Sequence, residues 1–123
     1  MARIMIIDDS PSAIQKARSV LLKEGHQVET LELLIYLPER LKTDPPDVIL
    51  LDLSMPALPG FDVGKLIRRY QQNPIPIILY SSRPASELAR ISGELKAVDY
   101  VQKGDADSVL IDAVNQAVRS PEG

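Results

Sequence analysis

Short apolar runs alternate with amphipathic stretches along the whole chain. The runs cover residues 4–7, 26–31, 48–51, 75–80 and 97–101, each of strand length and bounded by polar residues, glycine or proline. Five strands are predicted. The first, third and fourth runs are rich in Ile, Leu, Val and Met with little polar interruption, which suits strands covered on both faces of a parallel sheet.

The intervening stretches carry helix signals. Ser10-Pro11 offers a side-chain cap and a proline at the first helical position, and Gly25 offers a left-handed terminator. The first helix is expected between them, burying Ile14, Ala17, Leu21 and Leu22. Pro38 breaks the apolar pattern of residues 33–41 and places the start of the second helix near itself. The third is expected over 61–71 with Phe61, Leu66, Ile67 and Tyr70 inward, and the fourth over 85–95 after Pro84. The fifth, over 106–119, should bury Val109, Leu110, Ala113, Val114 and Ala117. Alternating strand and helix with short connections implies right-handed crossovers and helices on both faces, an α/β doubly wound sheet.

Composition adds exclusions. With 123 residues, the chain has the size of one domain, read as 1–119 with a flexible polar tail at 120–123. A net charge of −3 with scattered Lys and Arg argues against a surface that holds nucleic-acid phosphates. The most basic cluster, Lys65 with Arg68-Arg69, fits a solvated helix face. No cysteine is present, which removes disulfides, thiolate nucleophiles and Cys-ligated zinc, and the single histidine, His26, excludes a multi-His metal site and reads as a solvated turn residue. No apolar run is long enough for a membrane span or a signal peptide, so the cytoplasm is the expected location. Nothing reads as a helix-turn-helix output module; the chain is expected either to act alone by docking to a partner or to be the regulatory part of a longer protein.

In an open parallel sheet the functional crevice lies at the carboxyl ends of the strands. There the sequence places Asp8-Asp9, Asp52, Ser81-Ser82 and Lys103. Singly, each has an ordinary explanation: acids favour a helix amino terminus, lysines line surfaces, and serines form turns. Together on one edge, three carboxylates repel one another unless a cation sits among them. An all-oxygen donor set suits Mg²⁺ better than Zn²⁺. Such a site can support transfer of a phosphoryl group onto an aspartate, with a lysine and a hydroxyl neutralising its oxygens. Asp52, the acid ending a central apolar strand, is the best-placed nucleophile.

These pieces carry a family resemblance. Ile6-Ile7-Asp8-Asp9-Ser10, Leu51-Asp52-Leu53-Ser54-Met55-Pro56 with Gly60, Ile77-Ile78-Leu79-Tyr80-Ser81-Ser82 and Asp99-Tyr100-Val101-Gln102-Lys103 resemble, in order and spacing, the receiver domain of bacterial two-component response regulators of the single-domain, chemotaxis-regulator type. The resemblance implies a flavodoxin-like (βα)5 fold with strand order 2-1-3-4-5. It also implies that Asp52 is the phosphoacceptor, and that Asp9, Asp52 and the main-chain carbonyl of Ser54 ligate Mg²⁺ directly while Asp8 acts through a metal-bound water. Lys103 is then the phosphoryl contact, Ser81 the switching hydroxyl and Tyr100 the aromatic that follows it, changing the face formed by the fourth helix, fifth strand and fifth helix. That face is also a possible dimer surface. The donor would be a phosphohistidine on a sensor kinase or phosphotransfer protein, and the chain would be a self-phosphorylating switch rather than an enzyme acting on an external substrate.

The chain also departs from the family pattern. Gly104 stands where a proline, often cis, usually follows the lysine; Ser82 replaces a small apolar residue; and Ser54 and Arg83 fill the two variable positions that in this family tune phosphoryl lifetime. Gly104 and Ser82 motivate an alternative, a degenerate receiver acting as a phosphorylation-independent interaction module. A phosphatase of the haloacid-dehalogenase type would need a second acid two residues after the nucleophile, where Ser54 stands.

Overall fold

The structure, a computed structural model, describes residues 2–31, 33–54 and 60–119. Its elements are β1 (Arg3–Ile7), α1 (Pro11–Lys23), β2 (Gln27–Thr30), a 3₁₀ turn at Leu34–Tyr36, α2 (Leu37–Thr43), β3 (Val48–Leu51), α3 (Gly60–Tyr70), β4 (Ile77–Ser81), α4 (Ala85–Leu95), β5 (Asp99–Gln102) and α5 (Asp107–Arg119). The five strands form one parallel sheet in the order β2-β1-β3-β4-β5, the doubly wound arrangement expected from the sequence.

The continuous apolar strands work because both sheet faces are covered. Met5, Ile7, Ile49, Leu51, Ile77 and Leu79 point to one side and pack with Leu37, Leu41, Val63, Ile67, Leu88 and Ile91 of α2, α3 and α4. Their neighbours Ile4, Ile6, Val48, Leu50, Ile78 and Tyr80 point to the other and pack with Ala17, Leu21, Leu110 and Val114 of α1 and α5. Fully burying each such Leu or Ile side chain contributes roughly 1.5–3 kcal/mol.

Register brings the strand ends level. Ile7 lies opposite Leu51, Leu51 opposite Leu79, and Ser81 opposite Gln102. The pairing continues past the strands: the Asp52 N–H donates to the Ile7 carbonyl at 3.0 Å and the Lys103 N–H to the Ser81 carbonyl at 2.8 Å. Asp8, Asp52, Ser81 and Lys103 therefore leave the sheet along a single edge.

α1 starts and stops as its sequence predicts, with Ser10 Oγ accepting from the Ala13 N–H at 3.4 Å, Pro11 opening the helix, and Gly25 at φ +86°. Several expected inward residues point out instead. Leu22 (46% exposed), Tyr70 (40%) and Val109 (41%) face solvent, while Val20 and Val63 are buried. The inward lines are Ala17-Val20-Leu21 in α1, Val63-Ile67 in α3 and Leu110-Ala113-Val114-Ala117 in α5. Leu22 and Val109 each sit one residue, about 100° of helix rotation, away from those lines.

His26 is not a solvated turn residue. It is 7% exposed, its Nδ1 accepts from the Ala2 N–H at 3.2 Å, and its Nε2 lies 3.2 Å from Asn115 Oδ1, tying the start of β1 to α5. Arg68 also leaves the solvated face assigned to it: its guanidinium is half-buried among the carbonyls of Ile75, just before β4, and of Leu95 and Lys96 at the end of α4. Residues 55–59, between the Asp52 motif and Gly60, and the tail at 120–123 lie outside the described residues.

Candidate functional site

Asp8 and Asp9 follow β1, Asp52 follows β3, Ser81 ends β4 and Lys103 follows β5. Carboxylate oxygens of Asp8, Asp9 and Asp52 all lie within 4.8 Å of one another. Asp8 and Asp52 are buried and Asp9 is exposed, so the cluster opens to solvent on the Asp9 side. Lys103 Nζ stands 2.8 Å from Asp8 Oδ2 and 3.5 Å from Asp52 Oδ2. It also lies 5.7 Å from the centroid of the Tyr80 ring, within reach of a cation–π interaction.

The charges are unevenly settled. Asp8 Oδ1 accepts the Ser10 N–H at 2.9 Å, and Asp52 Oδ1 accepts the Ser54 N–H at 3.2 Å. Asp8 Oδ2 is buried and accepts no hydrogen bond among the described residues; Lys103 faces it as an ion partner only. Burial pushes the Asp52 carboxyl above the usual carboxylate range and Asp8 pushes it further, against the opposing pull of Lys103 and the Ser54 N–H. Burial also raises the Tyr80 phenol, helped by Asp8, Asp107 and Asp105.

One lysine cannot balance three clustered carboxylates, and the remaining negative charge, together with an under-satisfied buried oxygen, fits a divalent cation. Every donor is oxygen, the set that hard cations such as Mg²⁺ prefer. The cluster could hold such a metal.

Of the remaining expected residues, Ser81 is fully buried, and its Oγ accepts the Arg83 N–H at 3.3 Å. Tyr100 lies opposite Leu79 in the ladder and packs against the α2–α4 side of the core. Ser54 is exposed at the site's rim. The departure at Gly104 is accommodated without disturbing Lys103: the described residues contain no cis peptide bond, and Gly104 sits at φ +98°, a conformation that suits glycine. Tyr80 walls the Lys103 side; its one signal in the sequence is its place beside Ser81 at a strand's carboxyl end.

A family model for the response regulator receiver domain matches residues 4–115. The chain belongs to that family. It is 33% identical over 117 residues to Protein PilH of Pseudomonas aeruginosa, covering 94% of this chain and 96% of PilH. It is 30% identical over 119 residues to the transcriptional regulatory protein KdpE of Mycobacterium tuberculosis, covering 97% of this chain but 52% of KdpE. The fold matches chemotaxis protein CheY4 of Vibrio cholerae with a TM-score of 0.81 at 24% identity, over 95% of this chain and 98% of that one. The chain is thus a phosphorylation-switched receiver of two-component signalling. Receivers of this family work with histidine kinases or phosphotransfer proteins. Among the described residues, no helix is long and apolar enough to cross a membrane.

Proposed function

We propose that Asp52 is the phosphoacceptor of this receiver and that residues 1–119 form the working domain, in the cytoplasm. The convergence of Asp8, Asp9 and Asp52 with Lys103 at one sheet edge carries this reading. An Asp52 carboxylate oxygen attacks the phosphorus of a donor phosphohistidine; the new P–O bond forms as the P–N bond breaks, and the leaving imidazole takes up a proton. The product is an acyl phosphate.

Asp8, Asp9, Asp52 and the Ser54 main-chain carbonyl would hold Mg²⁺, which when bound offsets the mutual repulsion of the carboxylates and the incoming phosphoryl charge. Lys103 supplies a second, permanent positive charge toward the phosphoryl oxygens. The Ser81 hydroxyl, which accepts the Arg83 N–H in the unphosphorylated protein, would donate to a phosphoryl oxygen. Tyr100, on the same sheet face by the period of two, would follow that hydroxyl and alter the α4–β5–α5 surface on which a partner or second copy docks. The degenerate alternative has no support in the site, whose acids and lysine are all in place.

Incubation with a small acyl phosphate and Mg²⁺, followed by intact-mass measurement, should show one added phosphoryl group. Asp52→Asn should show none. A wild-type protein that gains no mass, or an Asp52→Asn protein that still does, overturns the assignment.

A further inference from the structure

Arg83 joins the site to α4 by more contacts than a rim residue requires. Its Nε donates to Ser54 Oγ at 3.1 Å and its Nη2 reaches the Leu53 carbonyl at 3.4 Å, both just beyond Asp52 in the chain. Its Nη1 pairs with Glu87 Oε1 at 2.7 Å in the first turn of α4. Its own N–H holds the Ser81 hydroxyl at 3.3 Å, and its carbonyl accepts from Gln102 Nε2 at 3.0 Å, one residue before Lys103. Because the Ser54 N–H donates to Asp52 Oδ1, an unbroken chain of polar contacts runs from Asp52 through Ser54 and Arg83 to Glu87.

The far end of that chain is a weak point of the fold. α4 begins after Pro84 and has no side-chain cap. Among the described residues, the Arg83–Glu87 pair is the side-chain contact that braces its first turn. At its other end α4 is held firmly, since Arg68 donates to the Leu95 and Lys96 carbonyls at 2.9 Å each. A disturbance reaching Arg83 would therefore act on the amino end alone.

Charge sets the direction of that disturbance. Among the described residues, the guanidinium meets a neutral hydroxyl and a carbonyl on the site side, and on the other Glu87, whose side chain is 34% exposed. A solvent-screened ion pair of this kind is weak beside charge-assisted hydrogen bonds to a phosphoryl group. Resting on the assignment of Asp52 as phosphoacceptor, we propose that Arg83 is a positioning residue that carries the state of Asp52 to α4. Phosphorylation draws the guanidinium toward the new dianion and off Glu87, and the uncapped first turn of α4 loosens. This route runs beside any movement of Ser81 and Tyr100 and does not depend on the Tyr100 ring.

Hydrogen exchange at the Glu87 and Leu88 amides, which both donate to the Pro84 carbonyl, reads that turn directly. It should be followed with and without acyl phosphate and Mg²⁺, with phosphoryl occupancy weighed in the same samples. Wild-type protein should exchange several-fold faster at these amides when phosphorylated. Glu87→Gln should gain the same phosphoryl mass, and Arg83→Ala is compared with wild type at matched phosphoryl occupancy; both should exchange fast in both states and show no further phosphorylation-dependent change, whereas a merely structural arginine would leave that difference intact. A wild-type adduct without faster exchange, or variants that keep the full difference, overturn the inference while leaving Asp52 as acceptor. Absence of any adduct overturns both, and the mass measurement tells the cases apart.

Discussion

Lys103 Nζ lies closer to Asp8 Oδ2, at 2.8 Å, than to Asp52 Oδ2, at 3.5 Å. The lysine is thus shared, and its nearer partner is Asp8 rather than the proposed phosphoacceptor. The sharing holds two buried carboxylates side by side while leaving Asp52 less tightly bound, which suits the nucleophilic role proposed for it.

Lys103 also opposes the upward shift that burial and Asp8 impose on Asp52. Replacing it in Lys103→Met removes that opposition, so Asp52 binds its proton more tightly still. The protonated carboxyl is not a nucleophile, and the acid limb of the phosphorylation rate should move to higher pH. Loss of the cationic contact should also slow transfer from a small acyl phosphate by roughly 10²-fold at neutral pH. A pH series of single-turnover rates for wild type and variant checks both effects; an unshifted acid limb would mean that Lys103 does not govern Asp52.

The raised Asp52 carboxyl has a consequence for stability. A group whose proton affinity is raised by folding favours the native state fully while protonated and loses that advantage as pH climbs through its native value. Above that window the ionised carboxylate is a liability in the fold. Asp52→Asn removes the charge at almost constant shape, and should raise the thermal midpoint by a few degrees at neutral pH. The gain should vanish in acid, below the ordinary carboxylate range. Added Mg²⁺ should narrow the gap by stabilising only the wild type, since a ligand that binds the native state adds to its stability. Thermal scans across pH, with and without the metal, decide it.

The strands and the site were legible because both depend on short-range signals: unbroken apolar runs for strands buried on two faces, and polar residues at the point where each run stops. Asp8, Asp52, Ser81 and Lys103 could be placed together from order alone, since parallel strands align their carboxyl ends. Helix faces were read less well. Leu22, Tyr70 and Val109 are apolar and near the right phase, but which of two adjacent apolar positions turns inward depends on how the helix is rolled onto the sheet, and that is decided by contacts distant in sequence. His26 and Arg68 were misjudged for a related reason. Their partners, Ala2 with Asn115 and Ile75 with Leu95 and Lys96, arrive from other elements, and a polar residue's sequence neighbours do not reveal them.

Arg68 gives that lesson a measurable form. Its Nε donates to the Leu95 carbonyl at 2.9 Å, Nη1 to Gln71 Oε1 at 2.9 Å and to the Ile75 carbonyl at 2.7 Å, and Nη2 to the Lys96 carbonyl at 2.9 Å. No carboxylate pairs with it among the described residues, and burial lowers the guanidinium's proton affinity. What balances the charge is the carbonyl-rich carboxyl end of α4, where the helix dipole is negative. Arg68→Met keeps much of the side chain's length but strands these acceptors, and should cost about 2–3 kcal/mol in urea unfolding. Arg68→Lys should recover only part of the loss, because an ammonium cannot reproduce a planar fork that ties α3 to the segment before β4 and to the end of α4 together. The adjacent Arg69→Met, on the exposed face, should stay within about 0.5 kcal/mol of wild type. Equal effects at the two positions would return Arg68 to the solvated role that its sequence context suggests.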